Sequence, residues 1–484
     1  MKTATAILTF GFLLGVSAPA LAAATPEEAQ RLTTLFQSYL GNTPGVVSVS
    51  PQGDSYAAKL DLTPLFAKVK DPTVSLTLSP LEWTLTDQGG GKWKVDQSQP
   101  LDFAFGVKGQ GETRGKIGTV TSTGTFDEAL GGFSTSTAEF KAIVADQTMT
   151  EGGSTTRISY DIETVSMQTA MQGTPESADA TSTYGFTGLK ETISVPAAAD
   201  GSTPAMDVVI TSPTGKQDGV IKGLKLKAVS DIVTWLVANQ EPQAVVAQQA
   251  VLKDKLRAAL PLFTSLSGSS TLDDVTATTP FGPVAVKQFG FGAEMNGVVA
   301  DGKLRETFSF TGLQIPQALV PAWAAGMIPG NFSLDVGVSD FDLAAAAALI
   351  LDKIDLSKPD PLPKELDAPL MQALMPKGAV TITLGPSQIL ARLYDLTAAG
   401  SMTAGPVAMP AGQALVKIKG LDETMAALQA APPDVQQMSA ALLLVKGLGK
   451  AEADGSLSWK IESTPAGAIT VNGADVSKMM GGQQ

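Results

Sequence analysis

Asp340 and Asp342 are the acidic residues whose spacing best suits acid–base chemistry in this chain. They flank Phe341, so on a strand both carboxylates would point to the same face of a sheet. Glycoside hydrolysis uses two carboxyl groups about 5–10 Å apart around a sugar, and this pair could supply them. The alternative, which the sequence favours, is that Asp340 or Asp342 caps the Ala-rich helical segment that follows.

The absence of two residue types removes most other catalytic machinery. The 484 residues include no His and no Cys, which excludes disulfides, thiolate nucleophiles, Ser-His-Asp arrangements and the usual zinc sites. Asp273 and Asp274 are predicted to lie in a turn before Val275. There is no Asp-x-Asp-x-Asp-Gly calcium loop. We therefore expect no cofactor, no metal site and no catalytic residue.

A glycine-rich segment, 109–117, contains the glycines and the lysine of a phosphate-binding loop but not their spacing. Ile117 stands where Ser or Thr would bind magnesium, and the segment continues an alternating strand instead of opening a helix. The net charge is −13, from 34 basic and 47 acidic residues. Because nucleic acid and anionic membrane surfaces attract basic proteins, this charge disfavours both as partners.

The first 22 residues have the three parts of a secretory signal peptide. Met1-Lys2 is a basic start, residues 6–16 are a short apolar run, and Ala20-Leu21-Ala22 is a small-x-small cleavage site. The run is shorter than the ~20 residues that a spanning helix needs, and no later segment is long enough. The sequence predicts cleavage after Ala22, export to the periplasm and no membrane span in the mature chain.

Strict alternation of apolar and polar residues is the dominant pattern along the chain. It runs through 101–107, 158–162, 332–338 and 380–384, with glycine-containing turns between such runs. Strands with one apolar and one polar side are typical of antiparallel sheets. We predict a mainly β fold with short helices (α+β), a long curved antiparallel meander whose helices pack on or cap its apolar face.

Three helical regions are expected among the strands. Thr25-Pro26-Glu27-Glu28 is a helix start, with a capping residue, Pro in the first turn and acids near the positive helix end. Two longer regions, 230–263 and 422–445, have apolar residues at helical spacing. Proline interrupts both of them, at Pro242 and at Pro432-Pro433.

A weak repeat recurs along the chain, in which a strand is followed by a short turn and a short apolar helix. Its instances are 56–69, 220–236, 306–323, 332–351 and 415–428. Each half of the chain also opens with a helix and continues into strands. We therefore divide the mature chain into an N-terminal half, 23–240, and a C-terminal half, 241–484, with one continuous sheet as the alternative.

The exported, β-rich chain with these strand–Gly-Leu–helix units resembles the YdgA-like group of bacterial envelope proteins and their secreted alphaproteobacterial relatives of unknown function. Its closing stretches, 454–462 (DGSLSWKIE) and 467–473 (GAITVNG), are similar to the ending of that group. The resemblance implies a periplasmic location and a long curved antiparallel sheet, and it supplies no catalytic residues. Large lipid-carrying envelope proteins of the AsmA type share the half-open sheet, a likeness of architecture alone.

Large apolar residues of the strands and of one Pro-bounded segment are the remaining candidates for a site. The predicted ligand-binding residues are Phe103, Phe105, Phe308, Phe310 and Trp323. Trp323 belongs to the segment 316–329, for which the sequence favours a short buried helix, with a mobile flap over an apolar groove as the alternative.

These observations favour a non-catalytic periplasmic envelope protein that holds an apolar or lipid ligand in its curved sheet. One alternative is a structural or interaction scaffold of the cell envelope with a filled core, which would bind protein partners and no lipid. The other is a carboxylate-dependent hydrolase built on Asp340 and Asp342.

Overall fold

The computed structural model describes residues 23–66, 73–151, 154–197, 204–239, 241–406 and 409–476. Strands account for 54% of the structure and helices for 22%. The predicted signal peptide, 1–22, lies outside the described residues. The mainly β composition with short helices confirms the predicted fold class at that level.

Twenty-one strands of the described ranges form a single sheet. In chain order they are β1 (Val47–Gln52), β2 (Ser55–Leu60), β3 (Val74–Leu78), β4 (Leu81–Asp87), β5 (Lys92–Val107), β6 (Gly111–Asp127), β7 (Gly132–Glu151), β8 (Ser154–Thr174), β9 (Ser177–Val195), β10 (Met206–Leu224), β11 (Ser265–Thr279), β12 (Gly282–Asn296), β13 (Gly302–Thr311), β14 (Pro329–Phe341), β15 (Val380–Ala391), β16 (Asp395–Ala404), β17 (Ala411–Lys419), β18 (Lys450–Ala451), β19 (Leu457–Ser463), β20 (Ile469–Val471) and β21 (Ala474–Asp475).

Short helices lie between groups of strands. They are α1 (Pro26–Leu40), α2 (Thr63–Phe66), α3 (Leu226–Ala238), α4 (Pro242–Ala247), α5 (Gln249–Ala259), α6 (Leu343–Lys353), α7 (Asp367–Leu374), α8 (Leu421–Leu428), α9 (Pro433–Gln436) and α10 (Met438–Gly447), with 3₁₀ turns at Gln317–Leu319 and Lys364–Leu366. The predicted breaks are confirmed, since Pro242 begins α4 and Pro432 precedes α9.

The sheet is an antiparallel meander in which nearly every strand pairs with the next one along the chain. From β5 to β17 the pairing is unbroken, each strand being hydrogen-bonded to its successor. Near the two ends, β3 and β4 both pair with β5, and β18 and β20 both pair with β19. Because β10 pairs with β11, strands on the two sides of residue 240 are neighbours in one sheet.

The hydrogen-bond register places apolar side chains side by side on one surface, which we call the apolar face. One row across β5 to β8 consists of Leu101, Ile117, Ile143 and Ile162. A second row, across β14 to β16, consists of Val338, Ile382 and Met402. Because side chains alternate between the faces of a strand, directly paired residues share a face.

The opposite surface, which we call the polar face, carries mainly Thr, Ser and charged side chains. In one of its rows Thr123 donates a hydrogen bond to Asp96 at 2.7 Å, and farther along Thr183 donates one to Asp218 at 2.9 Å. The division is incomplete, because the register also places Glu191 and Glu306 on the apolar face. The alternation read from the sequence therefore fixes the two faces, with two acidic exceptions.

Helix α1 contacts the apolar face at the N-terminal end of the sheet. Its N-cap is Thr25, as predicted, whose side chain accepts a hydrogen bond from the Glu28 amide at 3.2 Å. Leu32 of α1 is 2% exposed and belongs to a buried cluster with Leu85 and Trp93 of the sheet. This cluster is an apolar core between α1 and the sheet.

An ion-pair network links α1 to the turn between β6 and β7. The Arg31 guanidinium donates to Glu128 at 2.6 and 3.2 Å and to Glu28 at 2.8 and 3.0 Å. Glu128 also accepts a hydrogen bond from the Trp93 indole at 2.6 Å. Arg31 and the Trp93 hydrogen bond lower the pKa of Glu128, although its partial burial opposes them.

One turn prediction is wrong. Asp273 and Asp274 lie inside β11, where Asp274 has a φ of 46° and interrupts the regular pairing with β12. Asp273 accepts hydrogen bonds from Thr214 and Gln288 on the two neighbouring strands. A strand irregularity, like a turn, needs a residue that tolerates a left-handed backbone, and Asp satisfies either requirement.

Most of the apolar face between the two ends is only partly covered. The whole chain exposes 29097 Å², whereas a compact protein of 49.8 kDa exposes about 17,000 Å². Residues outside the described ranges make up about a tenth of the chain and are too few to supply the difference. The excess surface reflects a broad sheet with few elements packed on it.

Candidate ligand-binding site

The two acidic candidates for catalysis have separate structural roles. Asp342 is the N-cap of α6, and its carboxylate accepts a hydrogen bond from the Ala345 amide at 2.7 Å. Asp340 has a φ of 66° and accepts hydrogen bonds from Lys377 at 2.7 Å and Thr381 at 2.6 Å. Lys377 and Thr381 lower the pKa of Asp340. The capping interpretation is confirmed for Asp342.

A metal site and the glycine-rich segment 109–117 are the remaining chemical features to place. Among the described residues no group of three or more His, Cys, Asp or Glu side chains is arranged to hold a metal ion. The segment 109–117 forms a turn and the start of β6, as its alternation predicts, and it does not open a helix. The geometry therefore directs attention to the apolar face.

Phe103 and Phe105 lie two residues apart on β5 and both belong to the apolar face. Phe103 is half-buried, and its ring covers Gly115 on β6, where an added Cβ would lie 2.3 Å from the ring. Phe105 is 47% exposed and pairs with Leu76 of β3, which is 38% exposed. Phe103 thus contributes to packing within the sheet, whereas nearly half of the Phe105 side chain is exposed.

Phe308 and Phe310 lie on β13 within a four-ring cluster on the apolar face. The other two members are Phe289 of β12 and Phe332 of β14. Ring centroids of contacting pairs are 5.6 to 6.5 Å apart, and the Phe310 and Phe332 rings are stacked. Phe308 remains 40% exposed despite these contacts. We call this group the phenylalanine cluster.

The five predicted residues do not form one site. Strands β6 to β11 separate Phe103 and Phe105 from the phenylalanine cluster, which begins at Phe289 on β12. Phe289 and Phe332 are not among the ligand-binding residues predicted from the sequence, because their closeness to Phe308 depends on strand register. Their position in alternating strands was visible in the sequence, but nothing there specified the pairing.

Trp323 lies in the connection between β13 and β14, two of the strands that carry the phenylalanine cluster. The segment 316–329 contains the 3₁₀ turn Gln317–Leu319, whose residues are exposed, followed by consecutive turns over 322–327. The prediction of a short buried helix is therefore wrong for this segment. The turns are anchored by a hydrogen bond of 3.0 Å from the Leu393 amide to the Gly326 carbonyl.

A cavity of about 620 Å³ lies beside this connection. It is lined mainly by apolar residues, including Leu313, Ile315, Val320 and Ile328, together with Gln317 and Arg392. Trp323 is half-buried and is not among the lining residues, although its neighbour Ala322 is. The cavity thus combines an apolar wall with two exposed polar side chains.

Two further cavities lie under helices near the ends of the sheet. One, of about 390 Å³, lies between α1 and the apolar face and is lined by residues that include Phe36, Tyr39, Trp83 and Phe133. The other, of about 300 Å³, lies among α8, α10 and the strands β16 to β20. Both have almost wholly apolar walls.

No helix in the described part of the chain is long and apolar enough to cross a membrane. Comparison with protein-family models, with curated proteins and with solved structures found no match for this chain. The resemblance to the YdgA-like group consequently stays a prediction, and function must be argued from the apolar face itself.

Proposed function

We propose that this protein is a non-catalytic periplasmic protein that binds an apolar or lipid ligand on its sheet. The observation that carries the proposal is the extent of the apolar face, on which large side chains remain more than a third exposed. They include Phe105, Leu272, Phe291, Phe308 and Leu334. Exposed apolar surface on this scale normally marks a binding site, because water contact with it is unfavourable.

The number of strands supports a curved binding surface. Strongly twisted open sheets of more than about ten strands tend to curl. We infer that this sheet curls with its apolar face inward and forms a groove. Helix α1 lies at one end, and α8 and α10 lie at the other, so these helices would close the groove at both ends. Acyl chains suit such a groove, since they need apolar contact and no directional hydrogen bonds.

Native mass spectrometry of protein purified from its own cell envelope tests the proposal. The mass of the gently ionised protein is compared with the sequence mass, and any adduct is extracted into organic solvent and identified. We expect a discrete adduct that extracts as phospholipid or fatty acid. A mass without adduct, together with no uptake of added lipid, would contradict the proposal and favour the scaffold with protein partners.

A matched pair of variants separates binding to the apolar face from nonspecific adhesion. Phe308→Ser removes an apolar side chain that is 40% exposed on the apolar face. Leu415→Ser removes one that is 42% exposed on the polar face, where Leu415 pairs with Lys460. We expect the first variant to retain less lipid than the wild type and the second to retain the wild-type amount.

A further inference from the structure

Arg392 is set apart from most arginines of the chain by its lack of a partner. Arg31, Arg114, Arg257 and Arg305 each form an ion pair with a carboxylate within 2.6 to 2.8 Å. Arg392 forms no ion pair and donates no hydrogen bond to any residue of the described ranges. Its guanidinium therefore keeps all five donors available while it lines the cavity of about 620 Å³.

Arg392 lies close to the connection between β13 and β14. An added Cβ on Gly326 would lie 2.9 Å from Nη2 of Arg392 and 2.7 Å from Cγ of Leu393. A Cβ at this position would require the Arg392 guanidinium or the Leu393 side chain to shift, so glycine lets both side chains lie against the turns 322–327. The guanidinium thus lies against the backbone of Gly326 at the cavity wall.

The phenylalanine cluster begins a short distance from Arg392. Phe332 of the cluster pairs with Ile389 of β15, three residues before Arg392. At about 3.3 Å per residue this separation is about 10 Å. The acyl region of one bilayer leaflet is about 15 Å thick, half of the whole hydrocarbon core. A lipid with its headgroup at Arg392 would therefore extend its chain over the cluster.

We propose that the cavity beside Arg392 binds the phosphate headgroup of a phospholipid, with the acyl chain lying on the phenylalanine cluster. This proposal rests on the proposed function and adds the ligand class and its orientation. The planar guanidinium fits a phosphate through two parallel hydrogen bonds. Gln317, also at the cavity wall, provides a further donor.

One of the two acidic exceptions on the apolar face, Glu306, supports the same orientation. Glu306 lies on β13, four residues before Phe310, on the side of the phenylalanine cluster away from the cavity. A phosphate is repelled by the Glu306 carboxylate and attracted by Arg392. The headgroup is therefore directed toward the cavity and the chain toward the middle of the apolar face.

Three probes that share chemical parts test the proposal. They are 1-oleoyl-glycerol 3-phosphate, 1-monooleoylglycerol, which lacks only the phosphate, and glycerol 3-phosphate, which lacks only the chain. Affinities are measured by titration for the wild-type full chain, Arg392→Gln and Arg157→Gln. Arg157 is the matched control, since it is exposed on β8 and forms no ion pair to a described residue.

We expect the wild type to bind the phosphorylated lipid about tenfold more tightly than monooleoylglycerol, because one charge-assisted contact contributes about a tenfold difference in affinity. Arg392→Gln should lose this preference and bind monooleoylglycerol unchanged, whereas Arg157→Gln should behave as the wild type. If Arg392→Gln kept the preference for the phosphorylated lipid, the headgroup site would be overturned, while the proposal that the protein binds lipid would be unaffected. If the wild type bound glycerol 3-phosphate as tightly as the phosphorylated lipid, the acyl chain would contribute nothing, and the site would be one for free phosphate instead. Binding of neither lipid by the wild type would overturn the proposed function itself.

Discussion

Asp340 and Asp342 differ in role because one lies at a strand end and the other begins a helix. The Asp342 carboxylate satisfies an amide of the first turn of α6 that has no partner within the helix. The Asp340 carboxylate neutralises Lys377 and holds Thr381 of β15. With both carboxylates engaged in structural contacts, this pair offers little support for hydrolysis.

Replacing Asp342 with Ala should lower the free energy of unfolding by about 1 kcal/mol, the usual effect of losing a helix cap. Asp342→Asn should keep most of the stability, because Asn also accepts the amide hydrogen bond. Denaturant unfolding of the two variants measures the difference. Equal destabilisation by Ala and Asn would contradict the capping role. Loss of glycan hydrolysis in both Asp340→Ala and Asp342→Ala would revive the hydrolase hypothesis.

Glu128 makes the attachment of α1 dependent on pH. Its pKa is lowered from the ordinary 4.5 by Arg31 and Trp93. A group whose pKa is lower in the folded state stabilises the fold above its unfolded pKa and loses this effect as pH falls. We therefore expect Glu128→Gln to be less stable than the wild type at pH 7, by about 1 kcal/mol, and the gap to shrink below pH 4.5.

Urea unfolding at pH 7, 4 and 3 checks this expectation. Glu82→Gln is a suitable control, because the Glu82 side chain is exposed on β4 and its carboxylate forms no ion pair with a described residue. A difference between wild type and Glu128→Gln that stays constant across this pH range would argue against the ionic contribution of Glu128.

At the scale of elements, α1 is stabilised by the few side chains that it buries on the sheet. Leu32 is 2% exposed among Leu85, Trp93 and other core residues. Removing a buried Leu side chain costs 2–5 kcal/mol in typical cores. Leu32→Ala should therefore release α1, which hydrogen exchange of the α1 amides would detect as faster exchange.

Leu443 of α10 provides the matched control for this prediction, because the same substitution there removes a side chain that is 57% exposed. Leu443→Ala should change stability by less than about 0.5 kcal/mol. If Leu32→Ala left exchange in α1 unchanged, the cluster beneath α1 would not be what holds the helix on the sheet.

At the scale of the whole molecule, the open sheet should give an extended particle. A compact chain of 484 residues has a radius of gyration of about 23 Å. The exposed area of 29097 Å² indicates a larger value. Small-angle X-ray scattering of the monomer measures it directly. A radius near 23 Å would mean that the sheet closes on itself in solution and that the apolar face is largely filled.

The sequence by itself determined which residues of a strand share a face and where the helices α1, α4 and α9 begin. Period-two alternation specifies an antiparallel strand wherever one side must avoid water, and Thr25, Pro242 and Pro432 act through local backbone chemistry. These effects need no distant partner. For that reason the meander, the helix breaks and the membership of Phe103, Phe105, Phe308 and Phe310 in strands could be predicted.

Only the tertiary structure decided which strands lie side by side and which side chains meet. The phenylalanine cluster depends on the register of β12, β13 and β14, and a slip of one residue would turn these rings to the other face. Arg392 forms no ion pair within the described ranges because of where the distant carboxylates of those ranges lie in the fold, which no local pattern encodes. Contacts between distant segments are decided by how the whole sheet pairs, and so they appear only in the folded molecule.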